Sequence, residues 1–326
     1  MLVNDPETFS FVLSTRNRPA YVRRTVEFLR HQSFSGSLLV LDASDDALFV
    51  TNGEFLAEVS DMLVRHFQPT RVGNIWTESA EACETISSRY VLWHHDDDFY
   101  FNDAVETALQ ALERDPGAAC AQGREVAVKV SWAGSQLDAR VVIRPRFAYR
   151  GASRIERLQE AFSAYCHLFF AVVRREVFVE ACRLTTRYLE EAWFDQFAWS
   201  IVTATRGRAL LTDQFFGIRQ KRLGSRSMQF RIYDLWPMLA ANPQFSKLFA
   251  NFKACLVEAV GEGDEHHLRQ VIDRGLVSLI GRYYGYRREP DVVDQRLIQT
   301  CVERGTPEWT QVASIMEVMK QHPETV

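Results

Sequence analysis

Three consecutive carboxylates, Asp96, Asp97 and Asp98, follow the apolar run Tyr90, Val91, Leu92 and Trp93 and the pair His94 and His95, with Phe99 next in line. So much negative charge at the mouth of a core element is costly unless a cation or water offsets the repulsion. A divalent metal is the natural partner, because carboxylate oxygens favour hard cations such as Mg²⁺ or Mn²⁺. In extended backbone, side chains two apart share a face, so the spacing predicts Asp96 and Asp98 on one ion and Asp97 facing elsewhere. Such an ion could hold a diphosphate and neutralise it as it leaves. A solvated acidic turn before a helix begun by Asn102 and Asp103 would use the same residues without metal. A zinc or iron site at His94 and His95 lacks a third ligand at a telling spacing.

Other polar clusters suit the same chemistry. Arg16 and Arg18 lie in a loop closed by Pro19, and their guanidinium forks match phosphate. Lys221, Arg222 and Arg226, with Gly224, Ser225 and Ser227 among them, form a flexible basic stretch. Asp42, ahead of Ser44, stands where a strand should end, a place that also suits a simple Asx turn. Asp195 falls at a predicted helix start, where a carboxylate also meets the macrodipole favourably.

The elements that must position these residues alternate in the first third of the chain, the pattern of a mainly parallel sheet covered by helices. Strands are predicted at Thr8–Ser14, Ser37–Leu41 and Tyr90–Trp93, and helices at Ala20–His31, Glu54–His66 and Asp103–Glu113. Three polar clusters then sit at strand ends, where open α/β sheets bind ligands. Val126, Val128, Val130 and Trp132 alternate with polar neighbours and Val141–Ile143 return, which predicts a hairpin. Helices near Ile155–Tyr165 and Trp193–Arg206 flank a strand candidate at Leu168–Val173, and Phe215–Arg219 is the last strand candidate. Beyond about Arg226 the pattern is helical, at Phe245–Val260, His266–Tyr284 and Val292–Glu303.

The 326 residues are 47% hydrophobic and 25% charged, with a net charge of −4, an ordinary globular profile too balanced for a nucleic-acid binder as a whole. No segment approaches the roughly 20 uninterrupted apolar residues of a membrane span, and a leading signal sequence is missing. A cytoplasmic location is therefore expected, with peripheral contact at the inner face of a membrane left open. The six cysteines lack metal spacing and read as buried free thiols.

Taken in order, these clusters resemble the nucleotide-sugar glycosyltransferases of the GT-A fold, specifically the inverting family 2. Phe11 to Pro19, with Tyr21 to Arg24 behind it, looks like that family's first strand, loop and helix. Val40, Leu41, Asp42, Ala43, Ser44 and Asp46 look like its second-strand motif, and His95 to Tyr100 occupy the place of its metal-binding DxD. Ala43 departs from the usual second acidic residue. The likeness covers roughly residues 8 to 225.

The resemblance implies an α/β fold with a mostly parallel, Rossmann-like sheet flanked by helices and an α-helical C-terminal extension. It places a GT-A domain at 1–227, its nucleotide-sugar part at about 1–125 and its acceptor part at about 126–227, followed by the extension at 228–326. It implies transfer of a sugar from a nucleotide-diphosphate sugar, UDP-sugar first, to the hydroxyl of a surface glycan, lipid-linked glycan or protein. Asp96 and Asp98 would bind Mn²⁺ or Mg²⁺, and Thr15, Arg16, Arg18, Asp42 and Asp97 would contact the donor. Lys221, Arg222 and Arg226 would fold over its diphosphate. Asp195 would be the base, Phe194 standing where an acid is common, with Glu190 and Glu191 one turn upstream as alternatives. A silent sugar- or nucleotide-binding module and a metal-dependent nucleotidyltransferase remain the competing readings. The helical tail is expected to pack on the second half of the catalytic domain, and a homo-oligomer formed through it stays open.

Overall fold

The computed structural model describes residues 1–70, 74–133, 136–144, 146–189, 194–222, 243–288, 300–301 and 305–321. In chain order the first elements are β1 (Phe9–Thr15), α1 (Pro19–His31), β2 (Ser37–Asp42), α2 (Asp46–Ala57) and β3 (Leu63–Phe67). Then come α3 (Ile75–Cys83), β4 (Tyr90–His95), β5 (Asp98–Tyr100), α4 (Asn102–Arg114), β6 (Ala118–Ala133) and β7 (Gln136–Arg144). The chain continues through α5 (Arg154–Ser163), β8 (Val172–Arg174), α6 (Arg175–Tyr188), α7 (Asp195–Arg206) and β9 (Arg208–Arg222). It ends with α8 (Pro243–Val260), α9 (Glu265–Arg288), β10 (Thr300–Cys301) and α10 (Pro307–Gln321).

β1 pairs in parallel with both β2 and β4, and β2 pairs in parallel with β3. Every residue of β1 and β2 is buried, as continuous apolar strands covered by helices on both faces should be. The register sets Thr15 beside Asp42 and Ser14 beside His95, so the loops leaving β1, β2 and β4 emerge at one edge. Beyond β4 the sheet becomes mixed: β8 is antiparallel to β4 and to β6, β6 and β7 form the expected hairpin, and β9 runs parallel to β6. The strand order is β10-β7-β6-β8-β4-β1-β2-β3, with β5 hydrogen-bonded to β9 off that path. This is an α/β, GT-A-type architecture with helices at the C-terminal end.

Local chemistry explains the helix starts. Pro19 occupies the first position of α1, where its missing N–H costs nothing. Asn74 caps α3 by accepting from the backbone of Trp76 and Thr77, and Ser153 with Glu156 forms a capping box on α5.

Several expectations change. The stretch Glu54–His66 is not one helix: α2 ends at Ala57 and Leu63–Phe67 becomes β3 against β2. Phe55, Val59, Met62 and Leu63 mimic a helical stripe, but β2 leaves a hydrogen-bonding edge that β-branched Val64 and its neighbours satisfy. Leu168–Phe170 forms a 3₁₀ turn, so only Val172–Arg174 pairs as a strand. The unforeseen helix α6 buries Val177, Phe178, Ala181, Cys182 and Leu184 on one side; its β-branched residues disguised that stripe. Of the predicted helix Val292–Glu303, Thr300 and Cys301 are a strand paired with β7, and the rest lies outside the described residues.

One hydrophobic core runs from Val3 through the sheet to Leu279 on α9. Phe252 on α8 is fully buried and stacks on Phe194 and Phe197, at 5.1 and 5.4 Å between ring centroids. On α9, Gly275 is held against Phe162 of α5 at a distance that leaves no room for a Cβ. The two helices therefore cover apolar surface of α5 and α7. Among the described residues, no helix is long and apolar enough to cross a membrane. Five described cysteines are buried free thiols.

Candidate active site

The acidic triplet leaves β4 as a turn, so the extended backbone predicted through Asp96–Asp98 is not what forms. Asp96 points into the loop after β1, where Thr15 Oγ1 donates to it at 2.8 Å and Arg18 Nη1 at 2.7 Å. The Asp96 carbonyl accepts from buried Arg24 at 3.3 Å and Thr25 at 3.4 Å, which fixes the turn on α1. Asp97 is half-buried, with Arg18 3.8 Å away. Asp98 opens β5 and turns toward β9: the Gln220 backbone N–H donates to Oδ1 at 3.2 Å, and Arg219 Nε lies 2.8 Å from Oδ2. Asp96 and Asp98 thus face different arginines. A turn rather than a strand breaks their two-residue alternation.

Burial pushes the Asp96 carboxyl up to about 6, helped by neighbouring Asp97 and opposed by Arg18 and Thr15. It pushes Asp98 up to about 7 against the pull of Arg219. The His94 imidazole is fully buried against Phe11 and Tyr100 and pushed down to about 3, a neutral packing group. Burial, and then Arg219 and Arg18, also lowers His95.

Among the described residues, no group of three or more His, Cys, Asp or Glu side chains converges as a metal cage. Asp98 Oδ2 is nevertheless a buried oxygen with no aligned hydrogen-bond donor, since Arg219 approaches it without hydrogen-bond geometry. A hard carboxylate oxygen of this kind suits a cation that draws its remaining ligands from phosphate and water, whereas both oxygens of Asp96 are already engaged by Thr15 and Arg18.

Asp42 is fully buried and already engaged. Its Oδ2 accepts from Asn52 Nδ2 at 2.7 Å and lies 3.0 Å from His66 Nε2, while Oδ1 takes the Ser44 N–H at 3.0 Å. Burial would raise this carboxyl, but the bonds from His66, Ser44 and Asn52 outweigh it and hold it below the usual carboxylate range. The immediate work of Asp42 is to fasten the end of β2 to α2 and β3. Asn17, in the left-handed region at φ 57°, ties this loop to the first one: its N–H donates to Ser44 Oγ at 2.7 Å, and its side chain exchanges bonds with Asp45.

Asp195 is the first residue of α7, buried, with Gln196 N–H on Oδ1 at 2.6 Å and the Trp76 indole N–H on Oδ2 at 2.9 Å. Burial raises its carboxyl and those donors pull it back. Trp76 lies 4.7 Å from the Trp93 ring, which lies 4.7 Å from the His95 ring, so rings in contact join Asp195 to the strand end that carries the acidic turn.

The structure therefore gathers Thr15, Arg18, Asp96 and Asp97, sets Asp98 on their flank and connects Asp195 through aromatic rings. Arg16 is exposed in the same loop. Lys221 and Arg222 continue the backbone of β9 opposite Lys129 and Val130. Arg226, Glu190, Glu191 and Trp193 lie outside the described residues. Sequence reasoning missed Arg219, His66, Asn52 and the indole of Trp76. Arg219 ends the predicted strand Phe215–Arg219, but only the pairing of β9 with β5 brings it to Asp98.

A family model described as glycosyl transferase family 2 matches residues 10–181. No curated protein matches the sequence. Among solved structures, S. aureus TarS 1-349 in complex with UDP-GlcNAc is similar at TM-score 0.56 and 14% identity, over 97% of this chain and 82% of that one. S. aureus TarS 1-349 in complex with UDP gives 0.51 and 13%, over 92% and 98%. S. aureus TarS gives 0.55 and 12%, over 87% of this chain but 46% of the other, so this chain spans less than half of that protein. At these identities the likeness is one of fold.

Proposed function

The chain belongs to glycosyl transferase family 2, and on that premise we propose that it is a metal-dependent, inverting glycosyltransferase using a nucleotide-diphosphate sugar. The observation that carries this reading is the meeting of Thr15, Arg18, Asp96 and Asp97 at the ends of β1 and β4, with Asp98 beside them. Carboxylates and a guanidinium at one strand edge suit a diphosphate bridged by a divalent cation. Asp98 and Asp96 would hold Mn²⁺ or Mg²⁺, which would neutralise the leaving diphosphate. Thr15, Arg16, Arg18 and Asp97 line the donor side, Asp42 shapes the base end of the pocket, and Lys221, Arg222 and Arg226 supply further cations. Asp195 accepts the proton of the attacking hydroxyl, and burial favours its taking that proton.

UDP is the first nucleotide to test, a choice supported by the like fold of TarS 1-349, solved in complex with UDP-GlcNAc and with UDP. The acceptor is the hydroxyl of a surface glycan, a lipid-linked glycan or a protein. Residues 1–227 form the catalytic unit and 228–326 a helical extension that braces it. Thermal unfolding with UDP, GDP, CDP and TDP, each with and without Mn²⁺, tests the reading, because a ligand bound only by the native state raises Tm. A panel of UDP-sugars then reports UDP release. Absence of any Tm shift across the nucleotides, with no UDP released, rejects it.

A further inference from the structure

The candidate base is held by a side chain that the reaction just described does not use. Trp76 on α3 donates its indole N–H to Asp195 Oδ2 at 2.9 Å, bridging 119 residues of sequence between two buried partners. The other oxygen takes the Gln196 N–H. Among the described residues each oxygen so has one side-chain or backbone donor and keeps a lone pair for a substrate proton. Two donors from different elements remove the rotational freedom that a short side chain at a helix start otherwise keeps.

The indole is itself clamped. Its ring stacks on Trp199 at 5.7 Å and 16°, meets Trp93 at 4.7 Å and 60°, and lies 5.9 Å from Phe169. Trp199 lies one turn after Asp195 on α7, and Trp93 stands on β4 three residues before Asp96. Trp76 is thus wedged between the helix that delivers the candidate base and the strand that delivers the acidic turn. The three indoles are bonded differently. Trp199 Nε1 goes to Cys182 Sγ at 3.3 Å and Trp93 Nε1 has no hydrogen-bond partner among the described residues, while Trp76 addresses a carboxylate.

We propose that Trp76 is a positioning residue for transfer: its indole N–H fixes the Asp195 carboxylate to receive the acceptor proton, and its ring sets the spacing between that carboxylate and the donor site. The proposal rests on Asp195 being the base. In the step it serves, the acceptor oxygen bonds to the anomeric carbon, its proton passes to Asp195 and the bond to the diphosphate breaks. Trp76 exchanges no proton. A donor on the carboxylate also favours the charged, proton-accepting form, so losing it should push an already raised carboxyl higher.

Two measurements on the full chain test it. With ¹⁵N-labelled tryptophan, the Trp76 indole resonance, assigned by its loss in Trp76→Phe, should titrate with pH in the wild type and stop titrating in Asp195→Asn. An indole resonance that ignores both pH and Asp195→Asn overturns the proposal without needing turnover or a folded Trp76 variant. In UDP release from the UDP-sugar panel, Trp76→Phe should lower kcat about tenfold, leave donor KM within about twofold and move the acidic limb of the pH profile up by about one unit. An inactive Asp195→Asn beside a Trp76→Phe with unchanged kcat and pH profile overturns the role of Trp76 alone, whereas wild-type turnover in Asp195→Asn overturns the base itself.

Discussion

Arg219 sits at the buried end of Asp98, its Nε 2.8 Å from Oδ2 and its guanidinium carbon 3.3 Å from the centroid of the Phe170 ring. The protein's own cation so flanks one oxygen of the carboxylate that the sequence marks for a metal. A buried pair of this kind loses much when one partner is removed, because the survivor keeps its desolvation cost. Arg219→Leu should therefore destabilise the fold, by about 3 kcal/mol on the scale of broken buried pairs. Urea unfolding measures this, and an unchanged midpoint would show that the pair contributes nothing.

Asp98 should couple metal to nucleotide. Titration calorimetry is expected to show UDP binding strengthened at least tenfold by Mn²⁺, with Asp98→Ala abolishing the gain, since linked ligands must affect each other equally. UDP affinity indifferent both to EDTA and to Asp98→Ala would contradict the metal role.

Asp195→Asn should bind donor normally and transfer poorly. A base acts mainly in the transition state, so its loss should lower kcat by about 10²-fold or more while leaving KM for the donor near wild type. UDP release with parallel Glu190→Gln and Glu191→Gln variants assigns the base, the inactive variant marking it.

Asp42 gives a pH signature with a definite sign. Its carboxyl is held below the usual range, chiefly by His66, Ser44 and Asn52 acting against burial. A carboxylate depressed in the folded state adds stability above its unfolded pKa and loses it as pH falls through the folded value. Wild-type protein should thus lose more stability between pH 6 and pH 3 than Asp42→Asn, and at pH 7 the variant should be weaker by about 1–3 kcal/mol. Parallel pH slopes for the two proteins would show that Asp42 does not contribute.

The tail helix α8 should matter to catalysis through packing. Phe252 stacks on Phe194, the residue before Asp195, and on Phe197 one helical turn further. Phe252→Ala should cost about 3–5 kcal/mol and lower turnover more than UDP binding. Thermal unfolding with UDP-release kinetics would show it, and a soluble 1–227 fragment with full turnover would show that the tail is dispensable.

Much of this architecture was legible from local pattern. The apolar runs of β1, β2 and β4, the break at Arg16–Pro19, the acidic triplet and the helix start at Asp195 are short-range signals, readable because residue type and spacing alone determine them. The split of Glu54–His66 and the disguised helix α6 were not, since both depend on what a segment packs against.

By itself the sequence determined which chemical groups stand at the strand ends and in what order, because chain direction and parallel pairing deliver each strand's last residues to one edge. Only the tertiary structure decided their partners: Asp96 with Thr15 and Arg18, Asp98 with Arg219, Asp42 with His66 and Asn52, and Asp195 with Trp76. Gln220 reaches Asp98 across 122 residues and Trp76 reaches Asp195 across 119. Contacts that distant depend on strand pairing and helix packing throughout the core, which no local spacing encodes.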